Sequence, residues 1–218
     1  MEIAWAGETL DLLPERALFW ARTRTLLLAD PHFGKAAAFR AGGIPVPPGT
    51  TADDVARLRT LVRAHAPRRL IVLGDFFHAA AGRAPETLAE IARWREAHRE
   101  LAVDLVAGNH DRHAGPPPEE WCIRLHEAPL RDGPFLFCHE PPEPASLPAD
   151  LYVLAGHVHP VITLEDRTGR LRAPSFLFGE RVALLPAFGS FTGGKSVRPA
   201  RGERAYIVGA GEVVPLGA

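Results

Sequence analysis

Hydrophobic positions fall first into short runs. Ile3–Trp5, Thr9–Leu13 and Leu18–Trp20 read as short strands, and the unbroken Thr25–Ala29 as a fully buried one. The period then changes over residues 51–65, where Val55, Leu58, Leu61 and Val62 recur at helical spacing. Thr51 with Asp54 three residues on has the form of a capping box for that helix. Pro85 opens a second helix, which Leu88, Ile91 and Trp94 carry to about Glu100. Leu70–Leu73, Val103–Val106, Phe135–Cys138 and Tyr152–Ala155 read as four more buried strands. From Val161 the pattern becomes hairpins: Val161–Glu165, a turn over 167–170, then Phe176–Phe178, Val182–Leu185 and Ala205–Val208.

Strands alternating with helices, followed mostly by strands, predict a layered α/β sandwich rather than a doubly wound sheet. The proline-rich stretches 116–118 and 141–148 are loops, too short to link domains, and no internal repeat is present. Residues 1–218 are therefore expected to form a single domain.

Composition narrows this only a little. Hydrophobic residues at 46% and charged residues at 23% exclude wholesale disorder, and a chain of 218 residues buries a core without disulfides. Cys122 and Cys138 form no framework, which points to a reducing compartment and buried thiols. The acidic N-terminus lacks the pattern of a signal peptide, and no apolar run approaches the ~18 residues of a membrane span. The expectation is a soluble cytoplasmic protein with no membrane partner. Net charge is −1 overall, but residues 1–166 carry −6 and residues 167–218 carry +5. That asymmetry suits a polyanion-facing surface, but on charge alone solvated loop arginines are the better account of it.

The chemistry gathers at strand ends, where α/β folds place their sites. Successive buried strands end in Asp30-Pro-His32, Gly74-Asp75-Phe-Phe-His78, Gly108-Asn109-His110-Asp111, Cys138-His139 and Gly156-His157-Val-His159. A lone histidine or aspartate at a strand end is ordinary; five in register point to a metal cluster. Oxygen and nitrogen donors without a thiolate suit manganese, iron or zinc. Gly74, Gly108 and Gly156 are expected to let the backbone turn sharply beside each ligand.

These motifs, D-x-H, G-D, G-N-H-D, H and G-H-x-H in order over residues 30–159, resemble the calcineurin-like metallophosphoesterase superfamily. The resemblance implies a four-layer α/β/β/α sandwich holding two divalent metals. One metal would take Asp30, His32, Asp75 and His159; the other would take Asp75, Asn109, His139 and His157. His110 would be the catalytic histidine outside the ligand set, and Asp111 would orient its loop. The reaction implied is two-metal phosphoester hydrolysis.

His78 bears on the substrate. Phosphoprotein phosphatases of the superfamily carry Asp at this place, whereas G-D-F-F-H is similar to the G-D-L-F-H of double-strand-break repair nucleases of the SbcD type. A second imidazole there suits a phosphodiester. The run Asp30-Pro-His-Phe-Gly-Lys-Ala-Ala-Ala-Phe-Arg40, its continuation through Pro47 and the run 185–194 resemble the bacterial ligase-associated DNA damage response endonucleases. Pro31 departs from the usual Leu of that family without removing a donor atom. This resemblance implies manganese-dependent cleavage of single-stranded DNA in DNA repair, alongside a DNA ligase and a large helicase.

Lys35, Arg40 and Lys195 are candidates for contacting DNA phosphates. Phe33, Phe39, Phe188 and Phe191 flank the candidate loops; stacking on bases is one reading, and core packing is the better one for at least half of them. Trp5, Trp20, Trp94 and Trp121 are read as core. Residues 189–196 satisfy the G-x-x-x-x-G-K-[ST] phosphate-loop pattern, but Pro199 and Gly202 leave no room for the helix it requires, so it is read as coincidence. Two alternatives stay open: a phosphodiesterase or phosphatase for small molecules such as cyclic nucleotides, and a non-catalytic scaffold of the same fold, against which the intact Asn109-His110 pair argues.

Overall fold

A computed structural model describes residues 1–166 and 169–217 of the chain. The first sheet runs in sequence order. Strands β1 (Glu2–Trp5), β2 (Glu8–Leu13), β3 (Ala17–Trp20) and β4 (Thr25–Ala29) form an antiparallel meander. From β4 onward, β5 (Arg69–Leu73), β6 (Ala102–Val106) and β7 (Ile123–His126) continue in parallel. Helices α1 (Lys35–Ala41), α2 (Thr50–His65), α3 (Pro85–Ala97) and the short α4 (Asp111–Ala114) make the crossovers that parallel pairing demands.

The second sheet holds β8 (Leu130–Asp132), β9 (Phe135–Cys138), β10 (Tyr152–Ala155), β11 (Pro160–Asp166), β12 (Gly169–Phe178), β13 (Val182–Leu184), β14 (Lys195–Ser196), β15 (Arg204–Gly209) and β16 (Glu212–Pro215). Its centre, β9–β10–β13, is parallel, and antiparallel pairs flank it.

The alternation read from the sequence decides which side chains meet between the sheets. Leu27, Ala29, Ile71, Leu73 and Val106 on one side pack with Phe135, Phe137, Leu154, Phe176 and Leu185 on the other. Leu26, Leu28, Leu70, Val72, Val103 and Leu105 point outward under the helices, against Val55, Leu58, Leu61, Ile91 and Trp94. All four tryptophans are buried as expected. The two facing sheets make a single α/β domain of the layered kind. Among the described residues, however, every α-helix lies between 35 and 114. The outer face of the second sheet is covered thinly: Leu147, beside the 3-10 turn Pro144–Ser146, packs over Cys138, Val153 and Ala155.

Several local expectations need correction. Helix α2 is capped by Gly49 at φ 106, not by a capping box. Thr51 instead accepts a bond from the Gly34 amide (3.1 Å), and Asp54 accepts one from Ser190 (3.1 Å) while pairing with Arg57 (2.9 Å). Helix α1 was not expected, because Lys35-Ala-Ala-Ala-Phe-Arg has high helix propensity but no apolar stripe. Strands β7, β8 and β16 are short and half-exposed and lack the same stripe. The expected turn over 167–170 falls partly outside the described residues, and β12 runs on from Gly169 rather than starting at Phe176. Cys122 is exposed rather than buried; Cys138 is buried, and burial pushes its thiol up to about 12. Among the described residues no helix is long and apolar enough to cross a membrane.

Candidate metal centre

Strands β4, β5 and β6 of the first sheet and β9 and β10 of the second end along one common edge. The loops that follow bring Asp30, His32, Asp75, Asn109, His139, His157 and His159 together. Asp30 and Asp75 are buried, at 0% and 2% exposure. The backbone there is unusual: Asp30, Asp75, His32, His157 and His159 all have φ between 46 and 64. Left-handed conformation in a non-glycine residue costs of order 1–3 kcal/mol and persists only where its surroundings enforce it. Five such residues in one cluster mark a site where ligand geometry outweighs local comfort.

The glycines act differently from the sequence expectation. Only Gly74 has positive φ; Gly108 and Gly156 do not. All three are small because a neighbour's side chain occupies the space a Cβ would need. A Cβ at Gly74 would lie 2.1 Å from the His139 ring, one at Gly108 2.2 Å from Asp75 Oδ1, and one at Gly156 2.5 Å from Asp30 Oδ2. Each glycine is thus a cradle for a donor carried on another strand.

Hydrogen bonds fix the rings. His139 Nδ1 meets the Leu73 carbonyl at 3.1 Å, and His159 Nδ1 meets that of Gly193 at 3.1 Å. A carbonyl only accepts, so each Nδ1 donates its proton there, and Nε2 is the ring nitrogen turned toward the cluster. His139 Nε2 then faces Asn109 Oδ1 at 2.9 Å, itself an acceptor. His159 Nε2 faces Asp30 Oδ1 at 3.4 Å. Burial, then Lys35 and the neighbouring rings, push the His32 imidazole down to about 2, so this ring is neutral. Asp30 Oδ1, His32 Nε2 and His159 Nε2 are buried without any hydrogen-bond partner. Acceptors aimed at one another in a buried space are the pattern a cation completes. Ligating histidines that give their other N–H to a carbonyl match it further.

The carboxylate of Asp75 faces both ways, with Oδ2 3.7 Å from His32 Nε2 and Oδ1 3.5 Å from His139 Nε2. Burial raises its pKa above the usual carboxylate range. The His159 imidazole is lowered by burial but pulled up, on balance, by Asp30. His157 closes the far side, its Nδ1 3.1 Å from Asn109 Oδ1 and 3.0 Å from His139 Nε2.

His110 and His78 stand beside the carboxylates. His110 Nδ1 donates to the His78 carbonyl (2.6 Å), and the two rings stack at 4.8 Å and 25°. The His78 ring nitrogen lies 3.5 Å from His32 Nδ1. Burial, then Lys35 and His110, lower His78 to about 4. Asp111 orients the loops, as expected, accepting from Phe76 and Gly108 at 2.9 Å each.

The three candidate phosphate contacts separate. Lys35 is half-buried beside the cluster; burial lowers its pKa and Asp75 draws it up. Arg40 faces away, bonding Val46 and Pro47 carbonyls and approaching Glu86 at 3.4 Å, so the structure does not bring it to the site. Lys195 is exposed on β14, its amide bonded to the His159 carbonyl at 3.1 Å. It is followed by no helix, which disposes of the phosphate-loop pattern. Four arginines of the basic segment are engaged locally: Arg170 with Glu165, Arg172 with Gly194, Arg181 with Leu151 and Arg204 with Ala4.

Sequence reasoning missed the support of the 187–194 loop. Arg57 on α2 holds the Phe188 carbonyl and lies 4.2 Å over its ring, while Asp54 holds the Ser190 amide. That loop in turn binds Ala29 and Asp30 carbonyls and supplies the Gly193 carbonyl to His159. Buried Asp54 was the available signal, but it reads as a helix-start acid.

Carboxylates, an amide and imidazoles converging where two facing sheets share an edge define a hydrolase of phosphoesters, with donors suited to divalent metals. The crystal structure of a nuclease, MPE, from Pseudomonas putida superposes with a TM-score of 0.87 at 44% identity, covering 99% of this chain and 99% of that one. The chain belongs to the same family, the metallophosphoesterases. A phosphoesterase from E. coli, YfcE, aligns more distantly, at 14% identity and a TM-score of 0.42 over 85% of this chain and 88% of that one. No protein-family model and no curated protein matches the sequence.

Proposed function

We propose that this phosphoester hydrolase is a binuclear phosphodiesterase: a manganese-dependent endonuclease that cuts single-stranded DNA during repair, alongside a DNA ligase and a large helicase. The observation that carries the reading is the set of buried, partnerless acceptors on Asp30, His32 and His159 beside a two-faced Asp75, in a chain 44% identical to a nuclease. Asp30, His32, Asp75 and His159 would hold one ion; Asp75, Asn109, His139 and His157 would hold the other. When bound, such a pair polarises a phosphoryl oxygen and lowers the pKa of water.

The chain's own groups supply orientation and proton handling. His110 commits Nδ1–H to the His78 carbonyl, which leaves Nε2 as the atom that would give a proton, or a hydrogen bond, to the departing oxygen. His78, lowered to about 4, is neutral at physiological pH and serves as a hydrogen-bond donor to a phosphodiester oxygen rather than as a charge. Lys35 adds positive charge beside the same oxygens. Lys195, on β14 with its amide bonded to the His159 carbonyl, would contact a more distant phosphate.

The test is incubation with circular single-stranded DNA and manganese, beside His110→Ala and an EDTA control. Metal-dependent linearisation that the variant lacks supports endonuclease chemistry at this site. A circle left intact, with turnover of a cyclic nucleotide, would replace the reading by a small-molecule phosphodiesterase.

A further inference from the structure

Two of the four phenylalanines near the site are core and two are not. Phe33 and Phe188 are 3% and 0% exposed. Phe39 and Phe191 are only half-buried. They meet edge to face, ring centroids 5.5 Å apart at 79°. Phe39 lies 5.9 Å from the His78 ring, which stacks on His110. A continuous file of rings, stacked at His110 and His78 and edge to face beyond, therefore leads out of the site through Phe39 to Phe191. Leaving such apolar area in water costs roughly 25 cal/mol per Å², and a purely structural pair would gain by turning in.

The placement of both rings is held. Phe39 follows Lys35 by four residues on α1, so a cation and a ring share one helix face. Phe191 lies between Ser190, whose amide is fixed by Asp54 (3.1 Å), and Gly193, whose carbonyl holds His159 (3.1 Å). The ring is thus registered to the candidate metal centre through two hydrogen bonds of its own loop. Positive charge followed by an open aromatic face is the order in which a nucleotide presents phosphate and base.

We propose that Phe39 and Phe191 form a stacking subsite for an unpaired base flanking the phosphate held at the site. The subsite rests on the nuclease reading and deepens it: a wall of rings accepts any base, but only one that is not held in a duplex. It selects single strands without reading sequence.

The experiment compares cleavage of a single-stranded oligonucleotide with that of a strand of the same length whose bases around the cut are replaced by abasic residues. Wild type should favour the base-bearing strand in kcat/KM by about tenfold to a hundredfold, the scale of base–aromatic stacking. In Phe39→Leu and Phe191→Leu that preference should fall toward unity, and in Phe39→Trp it should persist. If Leu at either position impairs folding, Phe39→Met and Phe191→Met pose the same question with a flexible apolar chain. Wild type cutting both strands equally, or Leu and Met variants keeping the full preference, would overturn the subsite alone. Turnover of bis-p-nitrophenyl phosphate with every DNA strand left intact would overturn the nuclease reading and the subsite with it.

Discussion

Two sets of buried carboxylates face the space between the sheets, and they are satisfied in opposite ways. Asp104 on β6 is fully buried and surrounded by partners of its own chain: the guanidiniums of Arg69 at 2.6 Å and Arg124 at 3.0 Å, and the His126 ring at 2.6 Å. Arg69 reaches on to Asp132 of the second sheet at 2.8 Å, so the network ties the two layers together. Asp30 and Asp75, at the strand ends, are as deeply buried but among the described residues meet no arginine or lysine within ion-pair distance; their neighbours are backbone amides and imidazoles. Burial and pairing settle the pKa of Asp104 below the ordinary carboxylate value, whereas burial leaves that of Asp75 above it. A buried carboxylate that carries its own cations is structural. One that faces other ligand atoms and has no guanidinium or ammonium partner is completed from outside, and that difference separates scaffold from site without reference to any motif.

Exchanging each acid for its amide should break the comparison most visibly. Asp75→Asn is expected to lower phosphodiester hydrolysis by at least about a thousandfold, since several kcal/mol of transition-state stabilisation depend on a ligand shared by two ions. Its fold should survive. Asp104→Asn is expected to leave manganese binding and turnover near wild type while destabilising the fold by about 1–3 kcal/mol, less than for a fully enclosed pair because Arg69 and Arg124 are partly exposed. Activity assays and denaturant titration on both variants check this. Loss of metal from Asp104→Asn, or full activity in Asp75→Asn, would dissolve the distinction.

Much of this was readable in the chain, and the remainder failed for identifiable reasons. The donors stand at strand ends in register, and the strands themselves are apolar runs, so the edge that gathers Asp30, Asp75 and Asn109 follows from local pattern. The cradles at Gly108 and Gly156 were misread as turns, because the atoms that need the space, on Asp75 and Asp30, belong to other strands. Arg40 and Lys35 were indistinguishable as charges five residues apart. Helix α1, which the sequence hides, turns one toward the site and the other toward Glu86. The Asp54–Arg57 hold on the 187–194 loop is likewise a contact across more than a hundred residues that no periodicity records.

Metal removal sharpens the contrast on a smaller scale. With manganese at about a hundred times its dissociation constant, binding adds roughly 2.7 kcal/mol to the folded state. For a chain of this size that is a rise in Tm of about 5–10 °C, reversed by EDTA. Calorimetric scans should find the shift intact in Asp104→Asn and largely absent in Asp75→Asn. An equal shift in all three proteins would place the stabilising cation somewhere other than the strand-end cluster.

The smallest effect concerns acid. Burial alone would raise the pKa of Asp104, but the bonds from Arg69 and His126 and the charges of Arg69 and Arg124 outweigh it, and the net displacement is downward. A carboxyl whose folded value lies below its unfolded value of about 3.9 binds its proton less readily when folded, so it contributes stability above that unfolded value. The contribution disappears as pH falls through the depressed folded value. Wild type should therefore lose stability faster than Asp104→Asn on acidification below about pH 4, and the two curves should converge where the carboxyl is protonated in both states. Denaturant midpoints measured on EDTA-treated protein between pH 2.5 and 6 would follow this without interference from the metal cluster. Parallel curves would mean that the arginines beside Asp104 pack rather than pair, and that the two sets of carboxylates differ less in kind than their surroundings suggest.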